Sequence, residues 1–341
     1  MKVTIKAIAE KAGVSSATVS RALTGSHMVN EQTRERIMQI AREMNYQGTG
    51  SLLRSRQSRG RAVGVMIPSL LGTFFTGVIG NIDNTLRSHG YDIFINCSNR
   101  QADTEADRAR ALIENGVHGL IVAPSSKESA YEIHELAAGI PHVFFDAALE
   151  DPNIDFVSTD DVRASYVATE YLLQLGHKKI YFVGGSEETL AISARMQGFR
   201  RCIKEHGMSL QENKIIASSV SQFGGYTAAM SLIQTQTLPT AIIAANDNVA
   251  IGIFEALSSK GYKVPDDVSL LGYDNSDISG YSFINLTSMS QAHHEIGQRL
   301  AKIILRKMNG TIPLGAAQHV YLESSLVIRG SCRNVNHREN Y

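Results

Sequence analysis

The chain has 341 residues, 43% of them hydrophobic, so it is long enough for two or three domains with ordinary globular cores. Its three cysteines, Cys97, Cys202 and Cys332, lie far apart, which excludes a disulfide framework and indicates a reducing compartment. We find neither a signal peptide nor a membrane span and therefore expect a cytoplasmic protein. The net charge is zero, yet residues 1–61 hold 11 basic against four acidic residues, giving +7 there and −7 in the remainder. This asymmetry indicates that only the first segment meets nucleic acid.

The first 46 residues are predicted to form three short helices. An apolar pattern that begins at Ile5 ends at Gly13, and Ser15 or Ser16 is suited to cap a second helix. Asn30 is suited to cap a third helix that runs to Tyr46. Two helices around a glycine occur in many proteins, but their position in the basic segment favours a DNA-binding helix-turn-helix.

The second helix is predicted to have one apolar face, formed by Val14, Val19 and Leu23. The residues left to face outward are Ser16, Ala17, Ser20 and Arg21. Small or hydroxylated side chains beside one arginine suit approach to base edges and phosphates in a major groove.

Residues 47–61 are rich in glycine, serine and arginine and are predicted to be a linker, with Leu52 and Leu53 as its apolar anchors. Two interpretations remain open. The segment is either a plain flexible tether or a segment that orders on DNA, with arginines on phosphate and a leucine wedged into the minor groove.

From residue 62 the chain alternates between apolar runs typical of buried parallel strands and amphipathic helical patterns. The predicted strands are 62–67, 91–95, 119–123, 141–145, 154–158, 179–183, 214–217, 240–244 and 268–271. This pattern predicts a bilobed α/β body made of two doubly wound parallel sheets.

Polar residues and two aromatic rings follow the ends of the predicted strands, where α/β sheets bind ligands. This set consists of Ser69, Phe74, Phe75, Asp146, Ser193, Arg195, Asn246 and Asp274. Taken singly, such residues are as well explained as helix caps, whereas together they favour a cleft for a small polar ligand. His293 follows Gln291 at a predicted crossover between the lobes and is added to the set.

Sequence motifs for catalysis or cofactor binding are missing. The Gly184-Gly185 turn lacks the rest of a dinucleotide fingerprint, and the adjacent His293 and His294 would not share a helix face as metal ligands. We therefore predict no cofactor, no metal and no enzymatic activity.

These residues make the chain resemble the LacI/GalR family of transcriptional regulators over nearly its whole length. The resembling runs are 3–6, 9–15 and 17–21 in the head, and 64–68, 116–121, 175–180, 245–247, 264–274 and 286–291 in the body. The resemblance implies DNA contacts from Ile5, Ser15, Ser16, Ala17, Ser20, Arg21, Thr24, Met28, Asn30 and Thr33. It also implies a body of the periplasmic sugar-binding fold, with three crossovers between lobes and an effector in the cleft.

The resemblance further implies a homodimer that binds double-stranded, pseudo-palindromic operator DNA as a repressor, with a small effector that changes the orientation of the lobes. We expect a dimer rather than a tetramer, since no leucine heptad tail follows Cys332. A sugar or sugar derivative is the preferred effector. A purine-responsive regulator and a sugar receptor without DNA binding are the alternatives.

The resemblance implies domains at 1–46 (head), 47–61 (hinge) and 62–334 (body), followed by a tail. Lobe one takes about 62–160 and 292–322, and lobe two about 161–291 and 323–334. The hinge departs from the family pattern, because its minor-groove leucine falls on Ser55, and Gly48 and Thr49 replace the usual proline and asparagine. Either Leu53 takes the wedge role after a two-residue slip, or this hinge works differently.

Overall fold

In a computed structural model, the chain divides into two compact units, residues 1–62 and 63–341. The structure describes residues 4–23, 29–44, 46, 61–70, 72–185 and 190–336. Over these residues, every helix is too short or too polar to traverse a bilayer.

Among its described residues, the N-terminal unit has three helices, α1 (Ile5–Ala12), α2 (Ser16–Leu23) and α3 (Glu31–Glu43). Gly13 ends α1 in the left-handed conformation, with φ +66°, which glycine adopts without steric cost. Side-chain caps then start the next two helices. Ser15 Oγ accepts a hydrogen bond from the Thr18 amide at 3.1 Å, and Asn30 Oδ1 accepts one from the Thr33 amide at 2.8 Å.

The caps confirm the prediction, with Ser15 rather than Ser16 as the cap of α2. The predicted end of the third helix at Tyr46 is wrong, because α3 ends at Glu43. Ile8, Val19 and Ile37 contribute one fully buried side chain from each helix, so the small unit has its own core.

The first sheet of the body is built mainly from the first half of the chain. Its elements are β1 (Arg61–Ile67), α4 (Thr73–Arg87), β2 (Tyr91–Cys97), α5 (Ala102–Glu114), β3 (Leu120–Val122), α6 (Lys127–Leu136), β4 (His142–Phe145), β5 (Phe156–Thr159) and the late strand β11 (His319–Leu322). The strand order is β11-β5-β4-β3-β1-β2, and β11, β5, β4, β3 and β1 pair in parallel.

The second sheet follows the same plan. Its elements are α7 (Asp161–Gln174), β6 (Ile180–Val183), α8 (Leu190–Glu205), β7 (Ile215–Ile216), α9 (Gln222–Gln234), β8 (Ala241–Ala244), α10 (Asp247–Ser259), β9 (Ser269–Asp274), a 3₁₀ turn (Asp277–Gly280), β10 (Thr287–Ser290) and β12 (Ser325–Val327). The order is β12-β10-β9-β8-β6-β7, with only the β10–β12 pairing antiparallel among the registers described.

The last helix, α11 (His293–Met308), returns the chain to the first sheet. Its Leu300 and Ile304 are fully buried with Val63 and Ile121 of that sheet. In the part of the body that the structure describes, the chain therefore passes between the sheets three times, at 159–161, 290–293 and 322–325. Two parallel α/β lobes joined by crossovers confirm the predicted fold class.

Two predicted element boundaries in the second lobe are wrong. Strand β9 continues to Asp274 instead of ending at Leu271, because Tyr273 and Asp274 pair with Met289 and Ser290 of β10. Helix α10 begins at Asp247, three residues before the start at Ala250 that the apolar pattern of the sequence predicts, because the Asn246 side chain caps it. The extension of β9 places Asp274 at the carboxyl end of the strand, at the edge of the sheet.

Candidate nucleic-acid interface and ligand cavity

Helix α2 of the N-terminal unit has a polar face and a buried face. Ser16, Ala17, Ser20 and Arg21 are exposed, whereas Val19, Ala22 and Leu23 are buried. The exposed set is the one expected to meet base edges, and one arginine within it supplies a forked cation.

The other residues expected at the DNA are distributed around this face. Ser15 is exposed, although its hydroxyl also caps α2, and Asn30 is exposed while capping α3. Ile5 is half-buried against the core of the unit, and Thr33 is half-buried in the first turn of α3. Three further predicted contacts lie outside the described residues, namely Thr24, Met28 and Leu53.

The body contains a partly open cavity between the carboxyl ends of the two sheets. The residues that line it are Gly72, Phe74, Phe75, Arg100, Asp146, Ala191, Ile192, Arg195, Val220, Asn246, Asp274 and Gln291. Both sheets and one crossover contribute, which places the cavity where α/β sheets bind ligands.

Phe74 and Phe75 form the aromatic part of the wall. They lie in the first turn of α4, their ring centroids are 5.1 Å apart in an edge-to-face arrangement, and Phe75 also packs against Phe145 at 6.1 Å. Because each ring is more than nine-tenths buried, packing fixes its orientation. The two rings offer a rigid apolar surface to one side of a ligand.

Arg195 in α8 is the central cation of the second lobe. Its Nε donates to Asp161 Oδ1 at 2.9 Å, and its Nη1 donates to the carbonyl of Ala245 at 2.8 Å. The guanidinium also stacks over the Tyr273 ring at 3.7 Å, and the Tyr273 hydroxyl donates to Asp161 at 2.8 Å. Burial opposes the charged form, but the nearby Asp161 carboxylate raises the pKa of Arg195 above its ordinary value. The cluster therefore holds a permanently charged fork at the cavity wall.

Two aspartates face the cavity from opposite lobes. Burial raises the pKa of Asp146 to about 7 and that of Asp274 to about 8, although Arg195 partly offsets both shifts. Gln291 Nε2 donates to Asp274 Oδ1 at 2.6 Å, which joins the second lobe to a crossover. Near neutral pH such carboxyls can accept or donate hydrogen bonds, so they suit the hydroxyl groups of a polar ligand.

The Asn246 side chain has two roles in the structure. Its Oδ1 accepts from the Val249 amide at 3.0 Å, which makes it the N-cap of α10, and the residue also lines the cavity. The neighbouring Asp247 is buried and accepts hydrogen bonds from Ser276 and Ser288, each at 2.7 Å. This buried network fixes the loop after β9 and, with it, the backbone around Asp274.

Three residues of the predicted set do not line this cavity. Ser69 lies on the loop after β1, and Ser193 lines a neighbouring cleft that shares Asp146 and Ala191 with the cavity. His293 begins α11, where its ring lies against Gly77 of α4. Phe74, Phe75, Asp146, Arg195, Asn246 and Asp274 are brought together.

Sequence reasoning missed Arg100, Asp161 and Gln291 as candidate functional residues of the site. Asp161 is the first residue of a helix and gives no sequence signal that it pairs with Arg195. Arg100 lies five residues beyond the end of the predicted strand 91–95, in a loop with two consecutive left-handed residues. Gln291 carried a signal, because it stands at the predicted crossover.

Two family models match the chain. One, described as periplasmic binding proteins and sugar binding domain of LacI family, matches residues 60–324, and the other, described as bacterial regulatory proteins, lacI family, matches residues 4–48. The two matches together span the head and the body.

Individual proteins are similar over almost the whole chain. The HTH-type transcriptional repressor PurR of Vibrio parahaemolyticus is 29% identical over 98% of this chain and 99% of its own. The ribose operon repressor of Haemophilus influenzae is 26% identical over 96% of this chain and 98% of its own. A solved LacI family regulator of Enterococcus faecium with bound ribose superposes with a TM-score of 0.72 at 26% identity, covering 81% of this chain and 100% of that one.

Proposed function

Because this chain belongs to the LacI family of bacterial regulatory proteins, we propose that it represses transcription by binding operator DNA, under the control of a small molecule bound in its body. The proposal rests on one observation, which is that the chain contains two candidate sites of different chemistry. The N-terminal unit has an exposed polar helix face in a segment of net charge +7, and the body has a cavity lined by charged and aromatic residues.

For the DNA site, helix α2 is the recognition element. Its exposed Ser16, Ser20 and Arg21 are spaced to follow one helix face, and Val19 and Leu23 hold the opposite face in the core. Arg21 is assigned to base reading because a bidentate arginine contact is the commonest specific contact to guanine. Ser15, Asn30 and Thr33 place the helix through caps and backbone contacts.

For the effector, a carbohydrate is the class that we propose. The cavity combines aromatic faces with two carboxyls, an amide and an arginine, which suits hydroxyl groups on an apolar ring face. The similarity to a ribose operon repressor and to a ribose-bound regulator supports this choice. A purine, suggested by the similarity to PurR, is an outcome that the ligand test distinguishes.

The proposed response to the effector follows from the position of the cavity. Asp146 belongs to the first lobe, Asp274 to the second and Gln291 to a crossover. A ligand bound among them therefore contacts segments of the chain that move relative to one another when the lobes reorient. A ligand that binds one orientation more tightly shifts the population toward it. Through that shift it changes the affinity for operator.

We also propose that the protein acts as a homodimer. The body carries large apolar side chains on its surface, including Phe94 and Ile95 on the edge strand β2, and Phe223 and Phe283 in the second lobe. Phe283 is 64% and Phe223 75% exposed, and large apolar side chains left on the surface support association with a second copy. Sedimentation at micromolar concentration should give twice the chain mass.

The test of DNA binding is anisotropy titration of the full chain against genomic fragments, followed by the selected duplex at increasing salt. A repressor of this kind loses affinity steeply with salt, because each lysine or arginine on a phosphate releases a counterion. Arg21→Ala should cost about 1–3 kcal/mol on the selected duplex and relax base preference at one position. Salt-independent binding, or none, would overturn the proposal.

A further inference from the structure

We propose that the effector carries an anionic group, a carboxylate or a phosphate on a polyhydroxylated carbon skeleton, and that Arg100 binds this group. This inference rests on the proposed function and narrows it to one class of carbohydrate. It is carried by the position of Arg100, by the hydrogen bonds of its neighbours in the cavity, and by the balance of charge there.

Arg100 reaches the cavity from an unusual loop between β2 and α5. Asn99 and Arg100 are consecutive residues in the left-handed region, with φ of 54° and 60°. For a side chain such as arginine this backbone costs about 1 kcal/mol or more, and it persists where the surroundings impose it. The Ser98 amide, bonded to the carbonyl of Ile67 at 2.9 Å, anchors the loop to the end of β1. The conformation places Arg100 among the lining residues.

Two other charged groups of the cavity, Arg195 and Asp274, already have protein partners. Arg195 is held by Asp161 and by the Ala245 carbonyl, and Asp274 is held by Gln291. The guanidinium of Arg100, in contrast, forms no hydrogen bond or ion pair with any of the residues that the structure describes, although Asp146 lies near enough to interact with its charge. Its five N–H donors are therefore available to a ligand.

The balance of charge favours an anion as that ligand. Arg195 is neutralised by Asp161, so this pair adds no net charge to the cavity. Burial raises the pKa of Asp146 to about 7 and that of Asp274 to about 8, so both carboxyls hold protons for much of the time near neutral pH. The cation of Arg100 then has no full counter-charge, and a planar carboxylate or a phosphate matches its fork.

The rings and carboxyls define the rest of the ligand. Phe74 and Phe75 offer apolar faces opposite Asp274 and Asn246, whose oxygens and protons suit hydroxyl groups. A simple inorganic anion would use Arg100 alone and leave these groups unmatched. The combination therefore indicates a sugar acid or a sugar phosphate.

The experiment is calorimetric titration of the full chain with matched neutral and anionic sugars. The pairs are glucose with glucuronate and glucose 6-phosphate, galactose with galacturonate, and ribose with ribose 5-phosphate, with acetate and inorganic phosphate as controls. We expect at least one anionic sugar to bind ten times more tightly than its neutral parent. Whether that ligand is an acid or a phosphate identifies the anion.

Variants assign the effect to Arg100. Arg100→Gln should weaken binding of the anionic sugar by about 10- to 100-fold, the loss expected for one charge-assisted contact, and should remove the preference over the neutral parent. Arg201→Gln is the matched control, because Arg201 is an exposed arginine of α8 paired with Glu205. It should leave both affinities unchanged.

Three results would overturn the proposal: a neutral sugar or a purine base binding at least as tightly as every anionic sugar, a preference for the anion that survives Arg100→Gln, or no binding by any anionic sugar. Operator titrations on the same samples separate this failure from failure of the proposed function. A protein that binds its operator in a salt-dependent manner but prefers a neutral ligand refutes only the role of Arg100.

Discussion

The buried pair of Asp161 and Arg195 offers a sharp test of how the ligand cavity is held together. Each side chain is only 5% exposed, and Asp161 Oδ1 accepts from both Arg195 Nε and the Tyr273 hydroxyl. Asp161→Asn keeps the size and the Oδ1 acceptor but removes the negative charge. The guanidinium then remains buried beside Tyr273 without its counter-ion.

The expected loss of folding stability follows from the uncompensated charge of Arg195. Removing one partner of a buried ion pair typically destabilises a protein by about 3–5 kcal/mol, because the remaining charge stays desolvated. The adjacent Asp160 provides the control. It caps α7 by accepting from the Arg163 amide at 2.9 Å, and asparagine caps helices as well as aspartate does. Asp160→Asn should therefore change stability by less than about 0.5 kcal/mol.

The assay is urea unfolding of the full chain, followed by circular dichroism and by tyrosine fluorescence, which is well suited because the chain has 12 tyrosines and no tryptophan. The midpoint for the body should fall strongly for Asp161→Asn and hardly at all for Asp160→Asn, with the slope unchanged. Equal midpoints for the two variants would refute the reasoning, since the charge of Asp161 would then contribute nothing to the cluster.

Three further predictions concern pH, a helix cap and a close helix contact. Folding raises the pKa of Asp274 to about 8, so the folded state binds the extra proton and loses stability as pH rises from about 4 to 8. Asp274→Asn should therefore raise the Tm more at pH 8 than at pH 5, and an equal gain at both would contradict the shift. Asn30→Ala should destabilise the N-terminal unit by about 1 kcal/mol in thermal unfolding, whereas Asn30→Asp should leave it unchanged. Gly198→Ala should cost about 1–3 kcal/mol, because its Cβ would meet the Val162 carbonyl oxygen, and a neutral result there would show that α7 and α8 can separate without cost.

Features of this fold that depend on neighbouring residues were predictable from the sequence. Ser15 and Asn30 act as caps because a short side-chain oxygen can reach an amide three residues ahead. The exposed face of α2 follows from the helical period, and the position of the cavity residues after β4 and β8 follows from the rule that parallel strands end at one edge. Each of these inferences needs only a few adjacent residues.

The features that escaped prediction depend on contacts distant in sequence or on backbone geometry. Asp161 and Tyr273 are 112 residues apart, yet both hold Arg195. The extension of β9 to Asp274 requires the register with β10, which no local pattern encodes. Arg100 enters the cavity only because its loop is left-handed at two successive positions. The domain boundaries and the role of the hinge remain predictions.

The hydrogen bonds of Gln291 connect the ligand cavity to the crossover segments between the lobes. It stands on the crossover between β10 and α11, donates to Asp274 at 2.6 Å, and accepts from Thr159 at the end of β5, 3.4 Å away, beside another crossover. A ligand that hydrogen-bonds to Asp274 alters the charge that this carboxyl presents to Gln291. Because the same amide side chain contacts two of the crossover segments, we expect its reorientation to act on both of them together.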